Sequence, residues 1–517
     1  MVLNIEEFRK AGYAAIDHIC DYFYSLEEQP VVAAVEPGYL AKLIPASPPQ
    51  AGEPFQDIAA DYKRCVLPGL THWSHPSFFA FFPTACTFEG ILADLYSSAV
   101  SNPGFNWICS PACTELEVIV MDWAAQLFGL DAAFFNSSKS GGGCLQTTAS
   151  DSALTAAVAA RNTYMDSHPD ARHEGLVILC TTQTHSLALK AGRVLGIAVR
   201  TIDVNAKHAY GLRGEALAQA IAEEQAKGRQ PFFLIATIGT TSSGAIDNIA
   251  EIRNVVSAHP DIWLHVDAAW AGVALSLPEM HEQLFLSDIN KAANSLCINF
   301  HKWGLVNFDC STLWVRNRVT LTQALDVTPL YLRTKEAEAG TVTDFRNWHL
   351  ALGRRFRSLK LWFVLRSYGV EGFQAHIRKG IYLNTIFVDL IKGSSRLVLA
   401  APPSLGLTVF RMVPAGWQQE AEHVKIDQLA VSQTADEAVV SAAADVSVDK
   451  TPNALTQALW DRLDRRRGEL FLSQTALNGV HCVRFAVGAA RTQELHVRRA
   501  FAIIEEEAAA VAAERGA

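Results

Sequence analysis

Three groups of residues have the types and spacing to do chemistry. The string Asn299-Phe-His-Lys-Trp303 sets the amine of Lys302 between two rings, where desolvation lowers a lysine pKa and makes the amine nucleophilic. A carboxylate, Asp267, directly follows the apolar run Ile262-Trp-Leu-His-Val266. Upstream, Ser140-Gly-Gly-Gly143 and Gln146-Thr-Thr-Ala-Ser-Asp151 lead into an alanine-rich helical stretch, Ala153 to Arg161, with Ala149 and Ser150 at its N-terminus. Unpaired N–H groups and the helix dipole favour an anion there. Taken singly, a lysine near a strand end is commonly a solvated surface group, a glycine run is commonly a turn, and a strand-end carboxylate can simply cap a loop. Together, an anion cradle, an acid and an amine specify a phosphorylated aldehyde, bound as an imine and protonated on a ring nitrogen. That is the chemistry of pyridoxal 5'-phosphate.

These residues need a frame that brings them to one place. From about 112 to 320, helical stretches alternate with short apolar runs: Leu176 to Cys180, Ile197 to Thr201, Phe232 to Ala236, Ile262 to Val266, Ser295 to Asn299 and Thr312 to Val315. Such runs between helices predict an α/β domain with a mainly parallel sheet covered on both faces. Ligands of such sheets sit beyond the carboxyl ends of the strands, where Asp267, Asn299, His301 and Lys302 all fall. Before this domain, Ile5, Phe8, Tyr13, Ile16, Ile19, Tyr22 and Phe23 predict an apolar-faced helix capped by Asn4 with Glu7 three positions on. A proline-rich loop and the aromatic cluster His72 to Pro83 follow, and so many rings beside prolines imply packing against another body. After it come a helix around Ser358 to Tyr368, strand-like runs at Arg396 to Ala400 and Leu407 to Arg411, and a closing amphipathic helix from about Arg491. The stretch Gln418 to Asn453 has no aromatic residue and reads as a surface insertion.

The bulk composition agrees with a globular enzyme. The 517 residues are 50% apolar and 19% charged, and the net charge of −9 is spread along the chain, which argues against a nucleic-acid partner. No signal-like start and no run of about 18 apolar residues is present, so neither export nor a membrane partner is expected and a cytoplasmic location is. The ten cysteines suit free thiols; Cys109 and Cys113 could pair on a metal, but no second pair accompanies them, and no metal site is expected.

Several strings carry a specific likeness: Ser110-Pro-Ala-Cys-Thr-Glu-Leu-Glu117, Leu264-His-Val-Asp-Ala-Ala269, Asn299 to Trp303, Leu305-Val-Asn-Phe-Asp-Cys-Ser311 and Gly353-Arg-Arg-Phe-Arg-Ser-Leu359. By these the chain resembles the aromatic L-amino acid decarboxylases, in the group II family of pyridoxal-phosphate-dependent decarboxylases, from near residue 1 to about 415 and again from about 454. The resemblance implies an aspartate-aminotransferase-like fold of type I with a seven-stranded sheet. It implies an N-terminal helical segment (1–85) wrapping the partner of a homodimer, a large cofactor domain (86–365) and a small α/β C-terminal domain (366–517), with the active site at the subunit interface. It assigns Lys302 to the imine and Asp267 to the pyridinium nitrogen. Ala149, Ser150 and Asn299 fall to the phosphate, with Thr241 and His301 near the cofactor, and His185 to the cofactor ring and the substrate carboxylate. An aromatic pocket is implied for Trp73, Phe81, Phe82, Pro83, Thr84, Pro103 and Phe105, some from the partner subunit.

Two positions bear on the reaction and its substrate. Tyr331, in Pro329-Leu-Tyr-Leu-Arg333, matches the loop tyrosine that protonates Cα after carbon dioxide leaves; relatives with phenylalanine there release an aldehyde. The acidic stretch Thr334 to Gly340 suits a flexible lid. Gly353 matches a position where enzymes for indolic substrates tend to carry glycine and others serine, so tryptophan leads tyrosine, phenylalanine and their hydroxylated forms. Phe81 departs from the tyrosine common at its position, and Phe300 from the proline that precedes the His-Lys pair. An aromatic aldehyde synthase, or a binding protein that has lost its chemistry, are the alternatives on the same fold; intact Lys302, Asp267 and His185 argue against the second.

Overall fold

A computed structural model describes residues 3–417 and 451–516, so all but the last three residues of the expected insertion lie outside the described residues. Seven strands form the large sheet: β1 (Gly142–Gln146), β2 (Leu176–Thr181), β3 (Ala198–Ile202), β4 (Gln230–Thr237), β5 (Trp263–Asp267), β6 (Ser295–Asn299) and β7 (Ser311–Val315). Their order is β1-β7-β6-β5-β4-β2-β3. The neighbours β2–β3, β2–β4, β4–β5 and β5–β6 pair in parallel, while β7 runs against both β1 and β6. The sheet is therefore mainly parallel, as expected. Strands β2, β5, β6 and β7 are buried along their whole length, which is why they read as unbroken apolar runs rather than alternations.

The helix that follows β1, Ala149–Ser167, crosses one face of this sheet. Thr148 caps it by accepting the Asp151 N–H, and buried Ala153, Ala156, Ala157 and Ala160 let its backbone lie close on the strands. The opposite face is covered in part by Pro111–Leu127 and by the long helix Arg357–Gly393. That last helix was expected only around Ser358 to Tyr368. It continues because the break at Gly369, with φ 61° and ψ −178°, is a local kink after which helical geometry resumes.

The glycine run calls for a correction. Gly142 and Gly143 belong to β1, an edge strand that was not expected, and not to an anion cradle. A Cβ at Gly141 would lie 1.6 Å from the Ala133 carbonyl oxygen, and one at Gly143 would lie 2.5 Å from Trp314. The three glycines serve close packing of the strand against its neighbours.

A second, antiparallel sheet in the order β10-β11-β9-β8 comprises β8 (Leu397–Leu399), β9 (Leu407–Met412), β10 (Ser473–Leu477) and β11 (Val480–Ala486). Helices Pro452–Arg465 and Glu494–Arg515 pack with it. The aromatic cluster runs alongside: Phe79 N–H donates to Phe471 O (2.8 Å), and Ala486 N–H donates to Phe79 O (3.0 Å). The other body expected behind those rings is thus this sheet.

Helix Ile5–Tyr24 carries the expected capping box of Asn4 and Glu7. None of its residues is buried, and Ile5, Phe8 and Tyr13 face solvent. Among the described residues no helix is long and apolar enough to cross a membrane.

Candidate active site

A cavity of about 220 Å³ opens at the carboxyl ends of the parallel strands. Five of the seven strands deliver residues to it beyond their last positions. Thr148, Ala149 and Ser150 follow β1, His185 and Leu187 follow β2, Gly239 and Thr241 follow β4, Ala269 and Trp270 follow β5, and His301 and Lys302 follow β6. Thr237, Asp267 and Asn299, the last residues of β4, β5 and β6, complete the lining. Register explains the convergence, since Thr237 pairs with Asp267 and Asp267 with Cys297, two residues short of Asn299.

Asp267 is only 3% exposed. Its Oδ1 accepts from the Ala269 N–H (3.1 Å) and from the Cys297 thiol (3.6 Å), so both of these bonds fall on one oxygen and the other is available to a donor in the cavity. Lys302 lines the cavity and is half-buried. Desolvation therefore pushes its pKa down, Asp267 and Cys297 oppose this, and Arg484 adds to it. His185 is likewise held towards its neutral form, by burial first, with Asp267 opposing and Lys302 reinforcing; its Nδ1 accepts the Leu187 N–H (3.3 Å). For His301, burial drives the pKa to about 3, and its Nδ1 accepts the Cys310 N–H (2.9 Å).

The residues fit a phosphorylated pyridine aldehyde. A helix cannot satisfy its own first N–H groups, and the first turn of Ala149–Ser167 borders the cavity. Two polar atoms at the strand ends, Asn299 Oδ1 and Thr237 Oγ1, are buried without a partner among the described residues, a costly state that a bound polar group would relieve. Acid, amine and anion site thus share one cavity, and Lys302 is the primary amine in it.

Other expected residues lie elsewhere. Phe82 is buried and stacks on Trp270 (4.6 Å between centroids), which places it behind the cavity wall, with Pro83 buried beside it and Thr84 half-buried. Trp73 and Phe81 stack on each other (5.7 Å) in more open positions. Like those five, Tyr331, Pro103, Phe105 and Gly353 do not line this chain's cavity; Tyr331 is 80% exposed, and Gly353 has open space where a Cβ would be. Two arginines hold their segments. Arg346 N–H donates to Phe105 O (2.9 Å), and its Nη1 donates to Leu332 O (2.8 Å) beside Tyr331. Arg354 N–H donates to Pro103 O (2.8 Å), and its guanidinium forms a buried bidentate pair with Glu117 (2.5 and 2.9 Å). Phe300 is fully buried against Phe128 and Phe373.

Sequence reasoning did not single out Thr148, Leu187, Thr237, Gly239, Ala269 and Trp270. Thr148 and Thr237 had a readable signal, a cap three residues before Asp151 and a polar strand end; Trp270 is indistinguishable in sequence from a core ring.

Comparison with known proteins follows the same line. Residues 37–413 match the family described as pyridoxal-dependent decarboxylase conserved domain. The chain is 38% identical to tyrosine decarboxylase 2 of Narcissus pseudonarcissus over 98% of this chain and 95% of that one. It is 38% identical to tryptophan decarboxylase 2 of Oryza sativa subsp. japonica over 98% and 96%. Among solved structures, Oryza sativa TDC with PLP and tryptamine superposes with a TM-score of 0.88 at 33% identity, covering 99% of each chain.

Proposed function

Because this chain belongs to the pyridoxal-dependent decarboxylase family, we propose that it removes carbon dioxide from aromatic L-amino acids, with L-tryptophan the favoured substrate, and releases the arylalkylamine. The single observation that carries this reading is the cavity in which Lys302, Asp267, His185 and the first turn of Ala149–Ser167 converge. Open space at Gly353 supports an indole over a smaller ring, and the lack of a hydroxyl on Phe81 removes one partner for a phenol.

Pyridoxal phosphate, when bound, supplies the electron sink that the protein's own side chains lack. Ala149 and Ser150, at the positive end of their helix, with Asn299 and Thr241, would hold its phosphate, Asp267 would hold the ring N–H, and His301 would line the site. Lys302, its amine biased towards the unprotonated form by burial, would hold the cofactor aldehyde, with Nζ able to take up or give a proton. His185, kept neutral, would pack against the ring and donate to the substrate carboxylate. Tyr331 gives its phenolic proton to the carbon that carbon dioxide leaves. Trp73, Phe81, Phe82, Pro83 and Thr84 form one wall for the side chain, and Pro103, Phe105 and Gly353 the other.

Both walls and Tyr331 lie outside the cavity lining of their own chain, which fits a homodimer whose sites are each completed by the partner. Exposed apolar residues on two helices support it: Ile5, Phe8 and Tyr13 on the first, and Phe88, Leu92 and Tyr96 on Phe88–Val100. We place the enzyme in the cytoplasm, its ten cysteines being free thiols among the described residues. The deciding experiment is a panel of L-amino acids scored together for carbon dioxide, amine and peroxide. Equimolar carbon dioxide and tryptamine from tryptophan is the expected outcome. Peroxide with aldehyde would make it an aldehyde synthase, and inertness towards every aromatic substrate would remove the reading.

A further inference from the structure

Arg484, on β11, is 4% exposed, and no carboxylate pairs with it among the described residues; desolvation is the one resolved cause that takes its pKa down to about 10. A buried cation without a counter-charge is costly unless its donors are used well. Here Nη1 donates to Ser473 Oγ (2.7 Å) and Nη2 donates to Phe81 O (2.9 Å), while Ser473 Oγ accepts in turn from the Phe81 N–H (3.2 Å). Ser473 opposes Arg484 in the β10–β11 register, so the small sheet presents the two side chains as one unit. The three bonds close a ring around the backbone of one residue. That residue sits at φ 52°, in the left-handed region that a bulky side chain avoids, so its conformation needs external support. Its ring stacks on Trp73 (5.7 Å) and meets Phe471 edge-on (5.9 Å). The next residue, Phe82, stacks on Trp270 of the cavity lining.

We propose that Arg484 and Ser473 are positioning residues that clamp Phe81 in its left-handed conformation and so set the aromatic wall that receives the substrate side chain. The inference rests on the function proposed above. The small domain thereby contributes to recognition without touching the substrate, through a fork that lysine cannot reproduce. Arg484 also lies close enough to weigh on the Lys302 amine, which is a competing role that experiment can separate.

The test compares wild-type holoenzyme with Arg484→Lys, Ser473→Ala and Ser473→Thr. KM for the aromatic amino acids is expected to rise about tenfold in Arg484→Lys, the scale of one lost charge-assisted hydrogen bond, with kcat and cofactor titration near wild type. Ser473→Ala should show a smaller rise that Ser473→Thr reverses. A fall in kcat at constant KM, or a displaced limb of the kcat–pH profile in Arg484→Lys, would assign the residue to Lys302 and overturn the clamp. So would unchanged KM in both Arg484→Lys and Ser473→Ala. A crystal structure of Ser473→Ala supplies a readout independent of turnover: the clamp requires Phe81 to leave positive φ or to disorder, and an unmoved Phe81 refutes it. If the wild type decarboxylates no aromatic amino acid, the functional reading fails, and this structural arm still decides the clamp.

Discussion

At the scale of single residues, the site works by removing water from groups that water would otherwise level. Lys302 and His185 both titrate below their ordinary range because burial disfavours their charged forms, and in each case the charge of Asp267 pulls the other way. Tyr331 is different in kind, a phenol in solvent on a turn outside the cavity, and the role proposed for it requires that it be brought to the substrate. Tyr331→Phe keeps every group that touches the cofactor and removes only a proton donor. It is expected to bind cofactor as the wild type does and to yield aldehyde, ammonia and peroxide in place of amine, with amine formation down by about 100-fold or more. Amine as its main product would take Tyr331 out of the mechanism.

At the scale of elements, the strand β1 and the helix after it divide two tasks that the sequence offers to one glycine run only when spacing is ignored. The helix terminus supplies the N–H groups, and the glycines let the edge strand press against its surroundings. Gly141→Ala would drive a Cβ into the backbone of Ala133, which cannot move as a side-chain tip can. A loss of about 1–3 kcal/mol in unfolding free energy is expected from such overpacking, read from denaturant midpoints, while cofactor affinity of the folded fraction stays near wild type. A selective loss of cofactor with stability intact would return the glycines to the anion site.

At the scale of the whole molecule, the proposed catalytic set is divided between the cavity and an outer unit beyond its lining. In that outer unit Arg346 ties Phe105 to Leu332, and Arg354 binds Pro103. If the partner's copy of that unit completes each site, then co-expressed Lys302→Ala and Tyr331→Phe chains form hybrid dimers in which one site unites an intact lysine with the partner's intact tyrosine. Such hybrids are expected to recover amine formation to about half of the wild-type rate per dimer, since one site in two is whole. Aldehyde as the sole product of purified hybrids would mean that Tyr331 serves its own chain.

Much of this was legible without coordinates. The apolar runs at β2 and β4 to β7 stand out because a sheet buried on both faces demands unbroken hydrophobic strands, and the polar residue that ends such a run marks the strand end. Asp267, Lys302 and Ala149 were therefore readable as one site from strand ends and a helix start. What local pattern could not supply is anything set by distant contact. Glycine at 142 and 143 is equally good as turn or edge strand until Trp348 and Trp314 are seen packed over it. Arg484 lies far along the chain from Phe81, and its fork meets that backbone only because β11 folds back beside the aromatic segment. Residue types and short-range periodicity determined the chemistry and the sheet; close packing and contacts between remote segments, which depend on the whole chain having collapsed, decided which residues support it.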